Sequence, residues 1–182
     1  MARNTWTRSM HDLGLSAWFG GTLANAVSLN AAAAKADSPS GTGAVANAGW
    51  DRWTPVNAAA IGVHLAGSIG QLVGNRERLG AQAGVGSMAL TKTALTAAAL
   101  GATAYSRALG KRISQHEDVP SESGTQPSGG TPTAVANAQR QLTVLQWVIP
   151  ALTGGLVVVS SLAGEQQRAS EVKKGVLGRL MP

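Results

Sequence analysis

The sequence predicts an all-α protein, a transmembrane four-helix bundle with a disordered loop between its third and fourth helices. Four stretches with almost no charge, each about as long as a bilayer-crossing helix, follow one another along the 182 residues. Charged residues make up only 13 % of the chain, against about 25 % in an ordinary soluble protein. Lysines and arginines cluster beside the apolar stretches, as they do next to membrane spans. We therefore expect one integral membrane domain.

The first predicted span covers residues 13–34 and follows a short polar head that includes Arg3, Arg8 and His11. It carries the motif WFGG and no charge. A cleaved signal peptide is the alternative, because a basic head and an apolar run precede an AAAAKA stretch. The run is longer than a usual signal-peptide core and is interrupted by Asn and Gly, which favours a span.

The second predicted span, residues 53–75, is the clearest one. It has no charged residue unless His64 is protonated. Trp50 and Trp53 stand at one end, where an aromatic belt would lie, and Arg76 follows the other end. Residues 35–49 before it, rich in Ser, Pro, Gly and Asn, are expected to form a connecting loop.

Helical spacing sorts the second span into faces. A ladder of small residues recurs every four positions, at Ala58, Gly62, Ala66, Gly70 and Gly74. A polar stripe lies nearly opposite and consists of Asn57, His64, Ser68, Gln71 and Asn75. Small-xxx-small ladders let helices approach closely in lipid, so Gly62, Ala66, Gly70 and Gly74 are predicted to pack against another helix. In a chain rich in Ala and Gly such a ladder can also arise by chance.

The third and fourth predicted spans cover residues 86–106 and 142–164. The third contains an ionisable side chain, Lys92, and the fourth has the highest aliphatic content of the chain. Between them, residues 113–139 are rich in Ser, Gly, Pro and Thr, a composition that buries too little to fold alone, so we expect disorder there. The charged tail, residues 165–182, is predicted either to lie on the membrane surface as a helix or to fray.

The residues predict no catalytic machinery. The chain has no cysteine, which excludes disulfides and thiolate metal sites. None of the four predicted spans contains Asp or Glu, which argues against a proton-coupled or cation-coupled transporter. His64 is the only histidine within a predicted span, so haem would lack a second His ligand and a triad would lack its acid. We expect a non-catalytic accessory or scaffold protein without metal or cofactor.

A polar lining inside the bundle supports an alternative function. The candidate ligand-binding residues are His64, Lys92, Asn25, Asn57, Gln71, Thr96 and Gln146. They would suit a small transporter, a channel or a protein that binds a lipid headgroup or an anionic small molecule through Lys92. Equally, His64 can form a structural hydrogen bond, and Lys92 can extend towards the headgroups.

Net charge and mean hydropathy limit the partners and the location that we expect. The net charge is +6 and the isoelectric point is about 10.5, but no basic patch with interleaved aromatic residues indicates nucleic acid. The expected partners are the lipid bilayer and another membrane protein. We expect a multi-pass plasma-membrane protein, and the weak excess of cations on one side places both termini in the cytoplasm. The mean hydropathy of only +0.04 leaves a soluble Ala-rich helical bundle as a third hypothesis.

Three motifs carry a resemblance to a known group of proteins. They are WFGG at residues 18–21, WDRWTPVNAAAIGVHL at residues 50–65 and TKTALTAAALGATAYS at residues 91–106. In these motifs the chain resembles small four-span integral membrane proteins of actinobacterial type. The resemblance covers the membrane part and skips the Ser/Pro-rich loop. It implies the four-span fold but no activity and no functional residue.

Overall fold

The computed structural model describes residues 4–116 and 119–166, together with residues 168 and 172. Within these ranges the chain is almost entirely helical, so the predicted all-α class is confirmed. The elements in chain order are α1 (Thr5–Ala24), a π-helical turn (Asn25–Leu29), α2 (Asn30–Ala33), α3 (Pro39–Gly74), α4 (Arg76–Ala81), α5 (Val85–Ser114), β1 (Ser121–Ser123), β2 (Gln126–Pro127) and α6 (Thr133–Glu165).

The long helices extend beyond the spans predicted from the sequence. The clearest case is α3, which begins at Pro39 rather than near residue 53. Ser38 caps this helix, because its side-chain oxygen accepts a hydrogen bond from the backbone N–H of Gly41 over 3.0 Å. Proline at the first helical position needs no hydrogen-bond partner, which suits it to this start. The predicted loop at residues 35–49 is therefore wrong beyond residue 38, since Ser38 and Pro39 act as a helix start and the Gly and Asn residues that follow are accommodated within α3.

Two helices, α3 and α6, are long and apolar enough to cross a membrane, judged by length and composition. In each of them only 22 % of the most apolar stretch is buried within the molecule, whereas the core helix of a soluble protein would be mostly buried. Within the described residues, α1 and α5 do not meet the same criterion. Two of the four predicted spans, residues 53–75 and 142–164, thus coincide with candidate membrane helices.

Helices α1 and α3 pack closely together in antiparallel orientation. The backbones of the two helices come close together at Gly14 of α1 and Gly67 of α3. A Cβ atom at Gly14 would overlap the backbone of Ala60 and His64. A Cβ atom at Gly67 would overlap the backbone of His11 and Thr7. Because both positions need a residue without a side chain, this helix pair depends on two glycines.

This contact corrects the predicted packing ladder. Gly70 and Gly74 do face α1, where they meet Thr7 and Asn4. Gly62 has no neighbouring atom within 4 Å where its Cβ would be, and Ala66 is exposed, so neither packs against another helix of this chain and their packing role stays a prediction. The reason is geometric, since positions four apart drift by about 40° per step around a helix of 3.6 residues per turn. The ladder therefore winds away from α1.

The other long helices complete the bundle. α6 packs along α5 and also contacts α1. Asn30 in α2 joins α3 and α6, because its Oδ1 accepts a hydrogen bond from Trp50 Nε1 over 3.1 Å and its Nδ2 donates to Gln146 Oε1 over 2.7 Å. These two bonds use both ends of one buried amide, so they position three helices relative to one another.

The described part of the connection between α5 and α6, residues 119–132, is folded, which corrects the disorder predicted there. It forms the β1–β2 hairpin, and α6 already begins at Thr133. Val119 is buried in an apolar cluster with Leu109 and Ile113 of α5 and Val135 of α6. Two polar side chains of α6 bind the hairpin. Gln139 donates to Ser121 Oγ over 2.8 Å, and Thr143 donates to the carbonyl of Thr125 over 2.8 Å.

This connection is ordered because α5 and α6 supply the apolar surface that its own composition lacks. The hairpin and the adjoining helix ends together form a cap on one end of the bundle. The predicted tail at residues 165–182 lies almost entirely outside the described residues.

Candidate functional site

A groove runs between α3 and α5. The main partner of α3 is α1 and that of α5 is α6, whereas α3 and α5 touch each other at few points. Two adjoining cavities occupy the space between them, and both are lined by Leu100. We call the one near α4 the lower cavity and the one near the cap the upper cavity.

The lower cavity has a volume of about 400 Å³ and lies between α3, α4 and α5. Its wall is mainly apolar, with side chains such as Leu65, Ile69, Leu72, Met88 and Leu100. Its polar lining consists of Ser68, Gln71, Asn75, Arg78, Lys92, Thr93, Thr96 and Gln166. This lining holds two cations and no carboxylate.

Lys92 and Gln71 carry the unused hydrogen-bonding capacity of the lower cavity. None of the ion pairs among the described residues involves Lys92. The Nε2 atom of Gln71 is buried and has no hydrogen-bond partner within the same part of the chain. Arg78 is held in place, since it donates to Gln82 Oε1 over 2.7 Å and to the carbonyl of Gln166 over 3.1 Å. The lower cavity thus offers donors to an anionic group.

The upper cavity has a volume of about 310 Å³ and is walled by Trp50, Trp53 and aliphatic side chains. Asp51 of α3 and Arg107 of α5 also line it and form an ion pair, with Arg107 Nη2 2.8 Å from Asp51 Oδ1. This ion pair bridges the groove at its upper end. Asn57 lines the cavity below it.

His64 lies deep in the contact between α1 and α3, not in the groove. Its side chain is fully buried, its Nδ1 donates to the carbonyl of His11 over 3.2 Å, and the two ring centroids are 4.5 Å apart. His11 Nδ1 is 2.8 Å from Asp12 Oδ1. His64 Nε2 points towards Ser68 Oγ, 3.5 Å away, and Ser68 lines the lower cavity.

The sequence did not reveal that Asp12 is the acidic neighbour of the His11–His64 pair. His11 and Asp12 were assigned to a polar head outside the span, but α1 begins at Thr5 and brings both residues to the level of His64. A signal was present, because His11, Gly14 and Trp18 recur at helical spacing on the buried face of α1. The helix therefore continues upstream of the uncharged run.

The predicted site residues do not converge on one lining. Lys92, Gln71 and Thr96 line the lower cavity, while Asn57 and Gln146 line the upper one. Asn25 begins the π-helical turn, and its buried Nδ2 has no partner among the described residues. Neither Asn25 nor His64 lines either cavity. A common binding role for these residues therefore stays a prediction. Those that line a cavity are divided between the lower and the upper one.

The described residues contain no group of three or more His, Cys, Asp or Glu side chains placed to hold a metal ion. The groove instead combines a large apolar wall with a few convergent polar groups, which is the usual composition of a site for an organic ligand. No family model, curated protein or solved structure matches the chain. The function is therefore inferred from the geometry of the groove.

Proposed function

We propose that this chain is an integral membrane protein that binds an anionic amphiphile in the groove between α3 and α5. The observation that carries the proposal is the lower cavity, which has an apolar wall, two cations and no carboxylate in its lining. A binding role of this kind needs no catalytic group, and the proposal includes none.

The membrane location is supported by the surface of the long helices. α3 and α6 have the length and composition of membrane spans. On the two more polar helices, Leu13 of α1 and Leu90 of α5 are 70 % and 71 % exposed, which suits contact with lipid. The proposal therefore includes four crossing helices. It places α4 and both termini in the cytoplasm, and the β1–β2 hairpin on the opposite side.

The ligand chemistry follows from what the groove presents along its length. Lys92 and the free Nε2 of Gln71 would bind a carboxylate or a phosphate, since an ammonium group donates strongly to anionic oxygen. From Lys92 to Thr103 in the upper cavity, α5 rises roughly 16 Å, which provides a path for an alkyl chain beside Leu100. A fatty acid and an anionic phospholipid share this chemistry.

The proposal also accounts for the position of Lys92. A lysine that only extends to the headgroups has no need of a cavity around it. Lys92 instead shares its cavity with the amides of Gln71 and Asn75 and with the guanidinium of Arg78. A charge placed among donors and apolar side chains within a membrane protein is more typical of a ligand site.

The experiment is a lipid-retention measurement by native mass spectrometry on the full chain reconstituted in phosphatidylcholine nanodiscs. One arm adds palmitate and the other adds phosphatidylglycerol, so that the two sources of the anion are distinguished. We expect the wild type to retain one of them in preference to phosphatidylcholine. Lys92→Met should weaken retention by about tenfold or more, the usual effect of losing a hydrogen bond to a charged group.

Lys111→Met is the matched control, because Lys111 lies on the same helix, is exposed and lines neither cavity. It should retain the anion like the wild type. Equal retention of anionic and neutral lipid by the wild type, or full retention by Lys92→Met, would contradict the proposed function.

A second candidate function, an accessory or scaffold protein, is favoured by a different surface. Gly62 and Ala66 are small, exposed residues one helical turn apart on α3, and neither lines the groove. In lipid, such a pair lets a helix of another protein approach closely. Gly62→Leu should then reduce the recovery of a co-purified membrane protein in mild detergent, and recovery of a solitary monomer from the wild type would argue against this function.

A further inference from the structure

Besides the Nε atom of Arg107, whose guanidinium is paired with Asp51, the upper cavity contains two buried hydrogen-bonding atoms that nothing in the described chain satisfies. They are the Oδ1 atom of Asn57, an acceptor, and the Nε1 atom of Trp53, a donor. Asn57 is only 9 % exposed. The two residues are four apart on α3, so they are neighbours on one helix face, and both line the cavity. An acceptor and a donor are therefore available side by side.

Three other polar side chains of this cavity are already engaged in hydrogen bonds. Thr22 donates to the carbonyl of Trp18 over 2.7 Å, and Thr54 donates to that of Trp50 over 2.8 Å. Gln146 accepts from Asn30. On α3, the buried and unused hydrogen-bonding capacity of this cavity is thus that of Asn57 and Trp53.

Leaving a buried donor and acceptor unpaired is costly, so this pair indicates an occupant that is polar at one point. A hydroxyl is the simplest group that donates one hydrogen bond and accepts another. The surrounding wall of Trp50, Leu100 and Ile149 requires that the rest of the occupant be apolar.

We infer that the upper cavity binds an apolar molecule bearing a hydroxyl group, which donates to Asn57 Oδ1 and accepts from Trp53 Nε1. The cavity of about 310 Å³ is at the small end of ligand sites, about 300–1,000 Å³, so the apolar body is compact or a single chain. The ion pair of Asp51 and Arg107 lies at the mouth. This inference goes beyond the proposed function, since it concerns a neutral group that needs no contact with Lys92. The alkyl chain of an anionic amphiphile bound at Lys92 would reach the same cavity, so the test is made without added anionic amphiphile.

The test uses two photoreactive probes that differ only at the polar end, a diazirine-bearing decanol and its methyl ether. The ether keeps the acceptor oxygen but cannot donate to Asn57. Each probe is cross-linked to the purified full chain in detergent, and the labelled peptides are quantified by mass spectrometry. We expect the alcohol to label peptides of the upper cavity about five to ten times more than the ether does, the effect of about one hydrogen bond.

Two variants remove the proposed contacts, Asn57→Leu with a side chain of similar size and Trp53→Phe with a smaller ring. Asn57→Leu removes the acceptor, Trp53→Phe removes the donor, and each should reduce labelling by the alcohol to the level of the ether. The controls are Asn25→Leu, another buried amide that lines neither cavity, and Trp147→Phe, an exposed indole. Lys92→Met should leave this labelling unchanged, which separates the inference from the proposed function.

A stability measurement keeps the inference testable if labelling is weak. Because Asn57 Oδ1 has no partner in the described chain, Asn57→Leu should not lower Tm. The alcohol should raise Tm of the wild type and not of this variant. Equal labelling by alcohol and ether, or a Tm several degrees lower for Asn57→Leu, would overturn the inference, because a bound water or a structural partner would then satisfy the pair.

Discussion

His64 donates a hydrogen bond from Nδ1 to the backbone carbonyl of His11 over 3.2 Å, and the two imidazoles lie with their centroids 4.5 Å apart. Because a carbonyl only accepts, this bond places a proton on Nδ1 of His64. The contact lies between the two glycines that bring α1 and α3 together, Gly14 and Gly67. His64 therefore has a structural role in joining these helices, whatever else it does.

Replacing His64 should destabilise the bundle in a graded way. His64→Ala leaves a cavity at a fully buried position and should cost roughly 2–4 kcal/mol of unfolding free energy. His64→Asn retains a donor near the position of Nδ1 and should cost less. Unfolding in detergent, followed by circular dichroism, measures both variants. If His64→Ala were as stable as the wild type, the structural role would be wrong.

Substitution by alanine should change the free energy of unfolding in opposite directions at Gly67 and Gly62 of α3. Gly67→Ala introduces a methyl group that collides with the backbone of His11, so α1 and α3 must separate, at a cost of roughly 1–3 kcal/mol. Gly62→Ala meets open space and should be neutral or add up to about 1 kcal/mol through helix propensity. The same unfolding assay compares them. Equal losses in both variants would mean that Gly62 is also at a helix contact.

The proposed orientation can be mapped with single cysteines, because the chain has no cysteine of its own. Glu77→Cys in α4 should be protected from a membrane-impermeant maleimide in intact cells, whereas Ser128→Cys beyond the hairpin should be labelled. Disrupted cells supply the control, in which both positions should react. The reverse pattern would invert the topology, and labelling of both positions in intact cells would rule out the crossings between them.

The fold class was predictable because uncharged runs of spanning length are a strong signal for apolar helices, as α3 and α6 illustrate. The helix ends were not, because Ser38 and Pro39 begin α3 far upstream of its apolar run and Thr5 begins α1 before Asp12. The order of residues 119–132 depends on contacts with Leu109 and Gln139, which local composition does not reveal.

The candidate site was predictable as residue types but not as an arrangement. Lys92, Gln71 and Asn57 do line cavities, as polar residues in apolar helices often do. Their separation into two cavities depends on how far α3 and α5 stand apart, and the acid beside His11 depends on the pairing of α1 with α3. Both depend on how helices pack against one another, which the residue pattern of a single helix does not reveal.

The central claim is that the groove between α3 and α5 holds an anionic amphiphile, and filling the groove tests it most directly. Leu100 lines both cavities, so Leu100→Trp should block the path between them, whereas Leu90→Trp makes the same change at a position that is 71 % exposed on the same helix. Retention of palmitate and of phosphatidylglycerol in nanodiscs, measured by native mass spectrometry, compares the two variants. We expect Leu100→Trp to lose the anion that the wild type retains and Leu90→Trp to keep it. Equal retention by both variants would contradict a ligand in this groove.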